Sequence, residues 1–184
     1  MSQQQQPGYE QVSFSVDLVE ASLRELDLLS EVDRHAVLLT PGGAAVRRAI
    51  RRYEQCWLPL AARQPSSESL APALDVHWVW HCHMLAPYSY ESDVTRLVGT
   101  VVSHRLMTRA ELDKARARTK SLWTAAYPHE PYDVDLTASS ANDSTAAADA
   151  TTNYTSLCGY DLEAAVGRQA KFYYQVRLYL LTFK

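Results

Sequence analysis

The chain has 184 residues, 47% of them hydrophobic and 21% charged, and carries a formal net charge of −3. That length suits one domain with a sizeable core, and the composition excludes a disordered or fibrous protein. The mild acidity argues against a dedicated polyanion binder, so nucleic acid is not the expected partner.

Three cysteines, Cys56, Cys82 and Cys158, leave at least one thiol unpaired, and none forms a Cys-x-x-Cys pair. This suits packed thiols in a reducing compartment. Residues 1–14 are glutamine-rich and are expected to form a disordered tail; they lack the charged start and apolar stretch of a signal peptide. No apolar run approaches the ~20 residues that span a bilayer. The expectation is a cytoplasmic chain without a membrane segment, in which the glycosylation patterns at Asn142 and Asn153 go unused.

Helical periodicity begins with Val16, Val19, Leu23, Leu26 and Leu29, with Ser15 placed to cap it. The pattern can run on through Val32 and Val37 until Pro41-Gly42-Gly43 stops it. A second stripe follows at Val46, Ile50, Tyr53, Trp57 and Leu60, and Pro59 kinks or ends that helix. Arg47, Arg48, Arg51 and Arg52 occupy its other side, read as a solvated face pairing with Glu54 and the acidic first helix. Residues 64–69 are a loop.

A shorter helix is expected from Tyr88 to Val98, ending at Gly99. Thr108-Arg-Ala-Glu111 has the form of a capping box, and Leu112, Ala115, Thr119, Leu122 and Ala126 continue that helix to Tyr127-Pro128. Pro128 to Leu136 is extended and packs over the bundle. The stretch from Thr137 to Ser156 has only Tyr154 as an anchor and cannot offset its ordering entropy, so a flexible surface loop is expected. From Asp161 the helical period returns at Leu162, Val166, Gln169, Phe172, Tyr173, Val176 and Leu180. Phe172, Tyr173, Tyr174 and Tyr179 read first as core and second as an aromatic surface for a partner. The fold class is all-α: a single irregular helical bundle over residues 15–184 with a low-complexity insertion.

The densest chemistry lies in residues 75–90, which hold two of the four tryptophans, three of the six histidines and one cysteine. Read as a helix, Leu74, Trp78, His81 and Leu85 line one face, with His77 joining His81 at an i, i+4 spacing that can chelate one ion. His83 then sits about 200° away from His81. Read as a strand, Val76, Trp78, Trp80, Cys82 and Met84 fall on one side and Asp75, His77, His81 and His83 on the other. That second face is a nitrogen-and-oxygen ligand set for a transition metal such as zinc. The helix is preferred, because every neighbouring segment reads helical and a lone strand leaves its backbone groups unpaired. The histidines then fill the core first and bind a metal second. No Gly-rich phosphate loop, Gly-x-Ser-x-Gly elbow or His-Glu-x-x-His helix occurs.

Four stretches resemble the glycine-rich domain-containing protein-like family. They begin at Asp17, at Arg52-Tyr-Glu-Gln-Cys-Trp, at Leu74-Asp-Val-His-Trp-Val-Trp-His-Cys-His and at Gln169-Ala-Lys-Phe-Tyr-Tyr. The third, with Tyr90 and Asp93 following it, is the most specific. Val94 stands where relatives often carry a cysteine, and the glycine-rich or RNA-binding regions of some plant members are absent. The expectation is an intracellular interaction or regulatory module with a protein partner, and the resemblance implies a link to growth and stress responses. The alternative is a metal-binding protein or metal-dependent enzyme using Asp75, His77, His81 and His83.

Overall fold

The computed structural model describes residues 13–65, 68–137 and 154–182, with side chains to residue 177. Among them every regular element is helical and there is no strand: α1 (Leu18–Asp33), a 3-10 turn (Ala36–Leu39), α2 (Ala44–Arg52), a π turn (Tyr53–Trp57), α3 (Leu58–Ala62), α4 (Leu74–Met84), α5 (Pro87–Val98), α6 (Arg109–Ala126) and α7 (Leu162–Thr182). The all-α expectation holds. The expected loop lies mostly outside the described residues, as do Asn142, Asn153 and nearly all of the N-terminal tail.

The organising element is α4, which packs against α1, α2, the π turn, α5 and α7. Its sequence alternates as a strand would, yet it forms a helix because nearly every direction around it meets another element. Val76, Trp78, Val79, Trp80, Cys82 and His83 are all buried, and a helix apolar on all sides belongs in a core. Both indoles find acceptors there: Trp78 Nε1 donates to the Leu38 carbonyl and Trp80 Nε1 to the Tyr90 hydroxyl, each at 3.0 Å. Burying each such large side chain contributes about 1.5–3 kcal/mol.

The second stripe is also confirmed. Val46, Ile50, Tyr53, Trp57 and Leu60 are buried together. Pro59 cannot donate an amide to Gln55, and just before it the helix widens so that the Leu58 amide reaches the Tyr53 carbonyl. Downstream, Gly99 ends α5 with φ +80, a left-handed position that a side chain would strain. The capping box at α6 is complete, the Thr108 hydroxyl accepting from the Glu111 amide while Glu111 accepts from the Thr108 amide.

Several expectations are corrected. Asp17, not Ser15, caps α1, its Oδ1 accepting from the Val19 and Glu20 amides. The helix stops at Asp33, and Val37 belongs to the 3-10 turn. The first part of the expected stripe faces outward, with Val19 70% and Leu23 52% exposed, while its last member, Leu29, meets the core together with Leu28 and Val32. On α7, Leu162, Ala165 and Val166 are buried but Phe172 and Tyr174 are exposed, so those aromatics are surface rather than core.

The arginines of α2 are not a solvated face pairing with Glu54 and α1. Arg52 is wholly buried between Asp75 and Glu130, and Arg48 and Arg51 also bind Glu130. Arg52 further donates to the Pro131 and Tyr132 carbonyls and lies 4.9 Å over the Trp123 ring. Tyr132 in turn donates from its hydroxyl to the Ala71 carbonyl at 2.8 Å, so the segment after α6 is indeed strapped onto the bundle.

Candidate functional site

Because α4 turns about 100° per residue, its polar side chains leave in different directions. Asp75 points at Arg52, with Oδ2 2.7 Å from the guanidinium Nε. His77 and His81 face α1 and the 104–112 stretch. His77 Nε2 lies 3.3 Å from His104 Nε2, and His81 stacks on Trp78 with Nε2 3.4 Å from Glu25 Oε1. His83 points the opposite way, into the core between the π turn, α5 and the segment before α7. The four predicted ligands therefore do not converge on one point: Asp75 and His83 leave in their own directions, and only His77 and His81 share a surface.

The first of these surroundings is a groove of ≈ 640 Å³ between α1, α4 and residues 104–112. Its floor is apolar and aromatic, built from Leu74, His77, Trp80, His81 and Met84, with Leu23 and Leu28 on one wall and Leu106 and Leu112 on the other. The walls differ in charge. The α1 side carries Glu20, Glu25, Asp27 and Glu31 beside one arginine, Arg24; the facing side carries Arg105, Arg109 and Arg116. Burial holds the Glu25 carboxyl above its usual value, and burial with the neighbouring His104 pushes His77 down to about 3. The histidines of the floor are thus neutral at physiological pH, as apolar recognition needs.

The second is a buried cluster. Tyr53 Oη lies 2.9 Å from His83 Nδ1, and the Tyr160 ring stacks on the imidazole at 5.7 Å. His83 Nε2 has no hydrogen-bond partner among the described residues and lies 3.6 Å from Asp93 Oδ2. Burial lowers the His83 pKa, opposed by Asp93, Glu54 and the Ser89 carbonyl. Burial also opposes ionisation of Asp93, but the Gly159 amide, Arg96 and the Tyr160 amide outweigh it and hold the carboxyl below its usual value. Cys158 sits beside both; burial and Glu54 keep its thiol protonated.

Glu54, read from sequence as a surface partner for arginines, is buried and organises the chain before α7. Its carboxylate accepts from the Tyr154 and Ser156 hydroxyls and from the Leu157 and Cys158 amides. Sequence reasoning noted Asp93 as part of the family motif, and missed Glu54 and Cys158 as site residues. A lone buried cysteine far along the chain carries no local signal. All three cysteines are free and buried, as the count implied.

Comparison with known proteins places these sites in a family. Residues 1–93 and 89–182 match the model of the Glycine-rich domain-containing protein-like family. Two relatives from Arabidopsis thaliana, Glycine-rich domain-containing protein 1 and Glycine-rich domain-containing protein 2, are each 38% identical over 172 residues. The match covers 91% of this chain but 20% and 21% of theirs, so the chain spans about a fifth of the relatives' length. No solved structure matches. With the aromatic-histidine helix at its centre and a family match along nearly its whole length, the chain belongs to the glycine-rich domain-containing protein-like family.

Proposed function

We propose that this chain is an intracellular interaction module whose groove receives an amphipathic helix from a protein partner. The observation that carries the reading is the ≈ 640 Å³ groove, with an apolar floor between walls of opposite charge. A helix laid in such a groove presents apolar residues at i, i+3, i+4 and i+7. Its flank toward Arg105, Arg109 and Arg116 carries acidic residues, and its flank toward α1 carries basic ones. Charge of both signs fixes the direction in which the helix lies. The net charge of −3 disfavours nucleic acid, and no described helix is long and apolar enough to cross a membrane. Three buried free thiols suit a reducing, cytoplasmic setting. The growth and stress role implied by the resemblance would then be exercised through docking.

Selection from a library of displayed helical peptides tests this reading. Enriched sequences should share the apolar spacing and the split charge, and Leu23→Glu should weaken their binding at least tenfold without changing the melting temperature. Enrichment of peptides lacking that pattern, or binding indifferent to Leu23→Glu, contradicts it. So does self-association of the chain through the same groove.

A further inference from the structure

We propose that His83, Asp93 and Cys158 form a site for a single divalent transition-metal ion, zinc foremost, held between α4, α5 and the segment leading into α7. One donor atom from each of the three lies within 4.8 Å of the others, and all three residues are buried. Around a tetrahedral ion with bonds of about 2.0–2.3 Å, donors stand about 3.3–3.7 Å apart, so the most separated donors must draw together by up to about 1.5 Å on binding.

The decisive feature is His83. Its ring is fully buried, yet Nε2 has no hydrogen-bond partner among the described residues. A buried polar atom left unsatisfied is destabilising, and a bound ion removes that cost. Tyr53 occupies Nδ1 at 2.9 Å. With the Nδ1 proton donated to the tyrosine oxygen, Nε2 presents a bare lone pair toward Asp93, which is how second partners orient metal-binding imidazoles. Asp93 is fixed as well: Oδ1 accepts from Arg96 at 2.7 Å and from the Gly159 amide at 2.8 Å, and Oδ2 accepts from the Tyr160 amide at 3.0 Å. Gly159 permits this approach, since a Cβ there would stand 3.3 Å from Asp93 Oδ1.

The donor set of one imidazole, one carboxylate and one thiol suits zinc rather than calcium or magnesium. Binding releases the Cys158 thiol proton to solvent, and a divalent ion with the resulting thiolate and one carboxylate makes a neutral centre, which burial tolerates. Three protein ligands leave a fourth position for water. Cys158 also lines a neighbouring hollow of ≈ 460 Å³ that gives an ion access from solvent.

Cobalt(II) titration of the metal-stripped 184-residue chain tests the site. Binding at one equivalent should produce the intense near-ultraviolet thiolate-to-cobalt band, and zinc should abolish it. Cys158→Ser, a one-atom change, should remove the band and weaken binding at least tenfold, while Cys56→Ser, Cys82→Ser and His77→Gln retain both. Tyr53→Phe should weaken binding ten- to hundredfold while keeping the band. A folded protein showing no thiolate band with excess cobalt overturns the proposal. So does a band that survives Cys158→Ser. Neither result touches the groove, whose test reads peptide binding.

Discussion

Arg52 Nε donates to Asp75 Oδ2 across 2.7 Å, and neither side chain is exposed to solvent. The pair joins α2 to α4, while the other guanidinium nitrogens hold Glu130 and the carbonyls of Pro131 and Tyr132. One planar fork thus ties three parts of the chain together. Lysine offers a single point charge and cannot reproduce that fork. Arg52→Lys keeps the charge but loses the fork, so it should cost more than about 1 kcal/mol yet less than the about 3–5 kcal/mol of removing one partner of a buried ion pair, read by chemical denaturation. A loss below about 1 kcal/mol would show that the fork is not what holds the strap after α6.

Glu54 gathers four donors from residues 154–158, a hundred positions away in sequence. Glu54→Ala should release that segment locally. Amide exchange at Leu157 and Cys158 should quicken by one or two orders of magnitude, matching about 1–3 kcal/mol, while amides of α4 stay protected. Uniform loss of protection across the molecule would mean that Glu54 supports the whole fold instead.

The histidines of the groove predict an acid-sensitive fold. Burial, with His104 second, pushes the folded-state pKa of His77 down to about 3, whereas an unfolded histidine titrates near 6.5. The unfolded chain therefore binds more protons between those values. Stability from this group is complete above about pH 6.5 and falls as the pH drops toward 3. The slope cannot exceed about 1.4 kcal/mol per pH unit, and His77 is only half-buried, so a smaller value is expected. Melting temperatures at pH 7 and pH 5 should differ more for the native chain than for His77→Gln. Equal differences would remove His77 as the cause.

The start of α6 offers a local check. Thr108→Ala removes the hydroxyl that accepts from the Glu111 amide at 3.3 Å and should destabilise the protein by about 1 kcal/mol. No measurable change would mean that α6 draws its stability from packing alone.

That capping box shows which features can be read from sequence. Thr108 with Glu111, Gly99, and the stripe from Val46 to Leu60 are local patterns whose meaning depends on a few neighbouring residues. The first helix shows the limit. Val19, Leu23, Leu26 and Leu29 share one spacing, but spacing does not say how much of a stripe meets the core, and only Leu29 of these packs inward, beside Leu28 and Val32. Similarly, i, i+4 spacing suggested that His77 and His81 share an ion, whereas His104 and Glu25 draw them to separate partners. Arg52 with Glu130, or His83 with Cys158, are brought together only by the tertiary fold. Their separation along the chain leaves no periodic trace.

The proposed docking surface is the groove between α1 and α4. The most direct measurement is a methyl and indole NMR titration with a peptide from the display selection. The account predicts shifts at Leu23, Met84, Leu106 and the Trp80 indole, with Val46 and Leu58 in the core unchanged. Shifts confined to Phe172 and Tyr174 on the outer side of α7, with the groove silent, would contradict it.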